Sequence, residues 1–152
     1  MATRIDGKAL AAKVKAQVAE KAAKLPRQPG LAVVLVGEDP ASQVYVRGKE
    51  ADCGECGIRS FPYRLPTETT QRELLDLIEK LNRDPAVDGI LVQLPLPEPL
   101  EEAAVIAAIS PEKDVDCFHP YNVGRLNIGD PVFQPCTPAG VMEMLREYGI
   151  SP

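Results

Sequence analysis

Leu31-Ala32-Val33-Val34-Leu35-Val36, followed at once by Gly37-Glu38-Asp39-Pro40, decides the fold. Six consecutive apolar residues are too few for a helix of useful length, and they do not alternate with polar ones. They fit a strand buried on both faces, as in a parallel sheet covered by helices. The break that follows has the chemistry of a helix start. Asp39 supplies an N-cap acceptor and Pro40 suits the first helical turn, where its missing N–H costs nothing. The two acids of this turn would repel phosphate, so it is not a phosphate-binding loop. In the helix it opens, Tyr45 and Lys49 stand four residues apart on one face. That face lies just beyond the carboxyl end of a strand, where open α/β sheets bind their ligands. A phenol and an amine held side by side there can exchange protons with a substrate. The same pair also occurs as one amphipathic and one solvated side chain on a plain helix surface.

Outward from this stretch the pattern repeats. Residues 6–24 read as a first helix, capped by Asp6, with Leu10, Val14 and Val18 spaced by four. Residues 58–65 read as a second strand, placed near an edge by Pro62. Thr70-Gln71-Arg72-Glu73 forms a capping box for a third helix bearing Leu74, Leu77, Ile78 and Leu81. Asp88-Gly89-Ile90-Leu91-Val92-Gln93-Leu94 reads as a third buried strand. Residues 101–109 form a short helix, 110–135 a loop-rich stretch, and Thr137-Pro138 starts a last helix that Gly149 ends. The order α-β-α-β-α-β-α implies a three-layer αβα fold with a mostly parallel sheet.

The 152 residues fit one domain, with 45% hydrophobic and 26% charged residues. A net charge of −5 and the absence of a basic run argue against nucleic acid as a partner. No apolar stretch is long enough to span a membrane and Met1-Ala2-Thr3-Arg4-Ile5-Asp6 has no apolar h-region, so a cytoplasmic location is the default expectation. Neither GxGxxG nor GxxxxGK[ST] follows any strand. Cys53-Gly54-Glu55-Cys56 is a CxxC, but it falls near a helix end, not at a helix start where the dipole stabilises a thiolate. Core packing of these thiols is favoured over zinc or redox chemistry, and no metal site is expected.

Two further segments carry chemistry. Gln93 ends the third strand, ahead of Leu94-Pro95-Leu96-Pro97. A buried amide needs partners, either loop backbone or a neighbour such as Lys49 whose orientation and protonation it would set. The Leu94-Pro95 bond is a candidate cis peptide. Lys113-Asp114-Val115-Asp116-Cys117-Phe118-His119-Pro120-Tyr121-Asn122 holds two carboxylates and the only histidine. Its acids fit turn chemistry. A carboxylate there could also hold two adjacent N–H donors of a heterocycle, such as a 2-aminopyrimidinone, by parallel hydrogen bonds. His119, beside Pro120, reads as a loop residue without catalytic duty.

Together these segments carry a resemblance. Residues 36–49, 88–97, 113–126 and 135–140 are similar to successive signatures of the bifunctional methylenetetrahydrofolate dehydrogenase/methenyltetrahydrofolate cyclohydrolases. The resemblance spans essentially the whole chain. It implies that residues 1–152 form the folate-binding catalytic domain, with an amino-acid-dehydrogenase-like fold, and that the Rossmann domain binding NADP lies outside this chain. It implies a tetrahydrofolate derivative as substrate and a homodimeric parent that pairs through the cofactor domain. It implies that Lys49 is the acid/base group, that Tyr45 packs on the folate, that Gln93 tunes the lysine and that Asp116 holds the pterin. Val92 and Leu94, flanking Gln93, are expected to line the same site. One departure stands out: the family usually has glycine where this chain has Cys117, so a left-handed backbone there would strain the loop bearing Asp116. Two other readings remain open at this point: a non-catalytic folate-binding or interaction module, and a zinc or redox CxxC protein.

Overall fold

The computed structural model describes residues 4–151; residues 1–3 and 152, which the expected 1–152 domain includes, lie outside the described residues. Three parallel strands form the sheet in the order β2-β1-β3, with β1 at Gly30–Val36, β2 at Arg59–Leu65 and β3 at Gly89–Val92. Pro62 does lie on an edge strand, opposite Val33. Side chains alternate across β1, and the alternation divides the core. Ala32, Val34 and Val36 face one way, with Ile90 and Val92 of β3. They pack against Leu74, Ile78 and Leu81 of α3 (Gln71–Arg83) and Val105 of α4 (Glu102–Ala108). Val33, Leu35 and Leu91 face the other way, against Val46 of α2 (Pro40–Glu55). Each Val, Leu or Ile among them, fully buried, contributes about 1.5–3 kcal/mol. The α3–α4 face is densely covered; the α2 face has a smaller core, and the cleft described below opens on it.

The helix signals form as their chemistry dictates. Asp39 accepts from the Ser42 amide at 2.7 Å. Thr70 and Glu73 complete a reciprocal capping box. Asp6 caps α1 (Gly7–Ala22) by accepting from the Ala9 amide at 3.0 Å. The spacing-by-four stripe of α1 is buried only at Leu10; Val14 is 37% exposed. This helix lies on the outside of α2 and is tied to the last helix by polar links, among them Lys13 to Glu147 at 2.7 Å and the Asp6 amide to the Tyr148 hydroxyl at 2.7 Å. The Leu94-Pro95 peptide is cis, as expected, and so is Glu98-Pro99, which the sequence reading did not anticipate.

The stretch from 110 to 135 departs from the expected loop in two ways. Residues 120–127 form a helix, α5 (Pro120–Asn127), with His119 as its N-cap: Nδ1 accepts from the Tyr121 amide at 3.1 Å. Gly124 and three weak helix formers within eight residues conceal it, although Pro120 stands at the first helical position. Asp114 also makes a parallel bridge to Ile90, with the Ile90 amide donating to Lys113 O at 2.7 Å. Lys113 fastens this segment by donating to Leu81 O and Asp84 O, each at 2.9 Å, at the end of α3. The last helix, α6, runs Cys136–Glu147, one residue earlier than its Thr137-Pro138 signal.

Candidate active site

A cleft of about 1010 Å³ runs along the α2 face of the sheet, bounded opposite α2 by the 115–118 turn and the first residues of α6. It is large enough for a multi-ring ligand. Its floor is Leu31, Leu91 and Val92. Tyr45, Lys49 and Cys53, spaced by four along α2, all face it. The burial of Val46 against Val33, Leu35 and Leu91 sets this rotation of the helix. Tyr45 is 66% exposed, so its ring forms an open platform, not core packing.

Gln93 follows β3, and its backbone amide continues the ladder to Val34 O at 2.8 Å. Its side chain has a single sensible orientation. Nε2 donates to Leu94 O at 2.7 Å, so Oε1 faces Lys49 and accepts from Nζ at 3.1 Å. The flipped amide would direct its N–H donors at the amine. Lys49 is thus tethered by one N–H, at the carboxyl ends of the adjacent strands β1 and β3, as the sequence reading expected of this pair.

Asp116 lines the same cleft. Burial pushes its carboxyl above the usual carboxylate range; Lys49 opposes that shift and Asp114 adds to it. Cys136, at the start of α6, keeps an exposed edge, but partial desolvation at the cleft wall pushes its thiol up and Asp116 adds to this, with Lys49 acting the other way. α2, the 116 turn and the head of α6 thus surround one cleft. All six residues named from the sequence, Tyr45, Lys49, Val92, Gln93, Leu94 and Asp116, line it. Phe118, Phe133, Cys136 and Thr137 line it too. Sequence spacing had no means of assigning them there, because they reach the cleft from parts of the chain remote from α2. Phe118, two residues past Asp116, was the most readable of them.

Cys117 has φ +58 and is buried. The left-handed backbone that the family glycine would accommodate is therefore present with a side chain, and Asp116 still faces the cleft. Cys53 and Cys56 are free, buried thiols near the end of α2. Burial raises the Cys53 thiol, which disfavours thiolate chemistry.

Residues 5–116 match the family model for the tetrahydrofolate dehydrogenase/cyclohydrolase catalytic domain. The chain belongs to this family. Bifunctional protein FolD of Geotalea daltonii is 62% identical over 99% of this chain and 55% of its own length. FolD of Streptococcus pneumoniae serotype 4 is also 62% identical, over 96% of this chain and 53% of its own length. Among solved structures, the FolD dehydrogenase/cyclohydrolase of Campylobacter jejuni superposes with a TM-score of 0.95 at 51% identity, covering 97% of this chain and 54% of its own. The Trypanosoma brucei enzyme, complexed with NADP cofactor and inhibitor, gives 0.93 at 40% identity, covering 98% and 52%. The chain spans about half the length of the relatives it matches. The α/β fold read from the sequence is the fold of this family's N-terminal half.

Proposed function

We propose that this chain is the folate-binding catalytic domain of a bifunctional enzyme of one-carbon metabolism. In this reading 5,10-methylenetetrahydrofolate is oxidised to the methenyl form with NADP, and the methenyl form is hydrolysed to 10-formyltetrahydrofolate. The observation that carries the reading is the Lys49–Gln93 hydrogen bond in a cleft that also presents Asp116 and Tyr45.

The hydrolytic step uses this chain's own residues. Water adds to the methenyl carbon while Lys49 Nζ, acting as the general base, takes one of its protons. Nζ then gives that proton to the ring nitrogen as the bond from nitrogen to carbon breaks, and the hydroxyl proton leaves to solvent as the formyl carbonyl forms. Gln93 occupies one N–H of the amine and so directs its lone pair, which is how a positioned amide assists a general base. Asp116, ionised, accepts two parallel N–H bonds from the 2-aminopyrimidinone edge of the pterin. Tyr45 packs on the ligand, with Val92 and Leu94 along its flank.

The residues present do not fit NADP. The β1–α2 turn, Gly37-Glu38-Asp39-Pro40, carries two acids, and Asp39 is already engaged in capping α2. The reading assigns residues 1–152 to the folate half and places the NADP-binding half beyond residue 152; relatives nearly twice as long support this division. It also assigns the parent a homodimeric state and a cytoplasmic location. Among the described residues no helix is long and apolar enough to cross a membrane.

Two assays on the purified chain test the proposal. Methenyltetrahydrofolate decay should exceed the uncatalysed rate and vanish in Lys49→Met. NADPH formation from methylenetetrahydrofolate should be absent. A decay rate indifferent to Lys49 would favour the rival reading, a folate-binding module without catalysis; NADPH formation would show that the cofactor site has been misplaced.

A further inference from the structure

The carboxylate that faces Lys49 across the cleft is not itself tethered. Among the described residues Asp116 has no side-chain hydrogen bond, and only burial, Lys49 and Asp114 act on it. Its position is set by its backbone. That backbone is a turn between the Ile90–Asp114 bridge and the start of α5, and one side chain spans it. Asp114 is 3% exposed. Its carboxylate accepts from the Phe118 amide at 3.2 Å, the His119 amide at 2.9 Å and Asn122 Nδ2 at 2.9 Å. The Cys117 amide donates to Asp114 O at 3.3 Å, which closes the turn from the other side. Asn122 is itself buried and donates to Pro111 O at 2.8 Å as well.

We propose that Asp114 is a positioning residue: anchored beside β3, it gathers the 118 and 119 amides and Asn122 so that the turn aims Asp116 into the cleft. Three donors converge on it, and only an acceptor-only group satisfies them all. An amide at 114 would turn an NH₂ towards one of these donors. A longer acid would move the carboxylate away from amides that are fixed by α5. The left-handed Cys117 is held within the same clamp. The ligand half of this inference rests on the folate reading; the geometric half does not.

The deciding experiment follows the Asp116 carboxyl by ¹³C NMR across pH in the wild-type chain, Asp114→Asn and Asp114→Glu, with tetrahydrofolate titrated calorimetrically into each. The groups facing Asp116 are Lys49 from α2, Asp114 within the turn and the Cys136 thiol from α6. Wild-type Asp116 should titrate above the ordinary carboxylate range. Both variants should bring it down as the turn loosens and water reaches it. Asp114→Asn also deletes a neighbouring charge, which lowers the midpoint by itself; Asp114→Glu keeps the charge and isolates positioning. Tetrahydrofolate should bind about 10-fold or more weakly in both variants, the scale of one misplaced charge-assisted contact. Neither variant should weaken binding further in an Asp116→Asn background. An unchanged Asp116 midpoint in Asp114→Glu overturns the proposal. If that variant does not fold, Asn122→Ala replaces it, keeping both carboxylates, and is judged by the same midpoint. Failure of the wild-type chain to bind tetrahydrofolate would count against the folate reading alone, and the midpoint would still decide the role of Asp114.

Discussion

Two glycine-to-alanine substitutions should move stability in opposite directions. Gly30 opens β1, where the chain passes against the 84–88 turn. A Cβ at Gly30 would overlap the Ala86 carbonyl and lie 2.8 Å from Phe61 Cε2 and 3.1 Å from the Ala86 carbonyl carbon. The obstruction is backbone, so a displacement on the order of 1 Å must follow. The displaced joint carries the Gly30 amide to Asp88 Oδ2 bond at 2.8 Å and the Asp88 amide to Gly30 O bond at 2.8 Å. The first is charge-assisted and contributes about 1.5–3 kcal/mol; the second contributes about 0.5–1.5. Gly30→Ala should therefore destabilise the chain by on the order of 3 kcal/mol. Gly48 lies mid-way along α2, and a Cβ there meets nothing within 4 Å. Gly48→Ala should stabilise by about 0.5–1 kcal/mol, the helix-interior cost of glycine. Urea unfolding followed by circular dichroism reads both. With a slope of about 1–3 kcal/mol per molar, Gly30→Ala should lower the midpoint by about 1–3 M while Gly48→Ala raises it slightly. Wild-type stability in Gly30→Ala would refute the close approach, and a destabilised Gly48→Ala would refute the open face of α2.

Three predictions concern the site. Lys49→Met should slow methenyltetrahydrofolate hydrolysis by about 10²- to 10⁴-fold, the usual share of a proton-transfer group, while tetrahydrofolate affinity changes little; a retained rate would remove the acid/base assignment. Asp116→Asn should act chiefly on affinity, by about 1.5–3 kcal/mol in calorimetry, because one lobe of the two-bond contact is lost; a pure rate effect would contradict it. Affinity should also depend on pH through Asp116. Burial raises its folded value above the ordinary carboxylate value of about 3.9, so the folded chain holds this proton more tightly than the unfolded chain. Its contribution to stability therefore falls as pH rises between those two values, whereas tetrahydrofolate binding, which needs the carboxylate, strengthens across the same window and then levels. Dissociation constants measured from acid to neutral pH should fall and then level in wild type and stay flat in Asp116→Asn.

Much of this was legible because local chemistry and long-range packing agree. The β1 run, the Asp39 and Thr70 caps and the Tyr45/Lys49 spacing each rest on neighbours in the chain, and each formed as read. The rotation of α2 was less legible: spacing shows that Tyr45 and Lys49 share a face, but the burial of Val46 decides that this face meets the cleft. The 110–135 stretch reads as loop-rich, and the one helix within it, α5, stays hidden because Asn122, Gly124 and Asn127 weaken the pattern that His119-Pro120 begins. The Ile90–Asp114 bridge is a lone pairing outside any strand, and its turn-like sequence gives no alternation to detect. Cys136 and Thr137 line the same cleft as Tyr45 and Lys49 although they lie far from them in sequence, which no spacing rule reaches.

The arrangement also explains how the cleft accommodates a left-handed Cys117. Its three polar groups are held by separate means. Lys49 rides on α2, fixed by the Asp39 cap and by Val46. Gln93 is fixed by the ladder bond to Val34 and by its own amide on Leu94 O. Asp116 is held by the Asp114 clamp. Only the Lys49–Gln93 bond links any two of them directly. A left-handed cysteine costs about 1–2 kcal/mol, and that strain falls on a turn already closed from both sides, not on the α2–β3 pair. In the proposed function, strain confined to one anchor alters how Asp116 meets a ligand without disturbing the Lys49–Gln93 bond, so affinity and turnover should respond separately to substitutions at the two places.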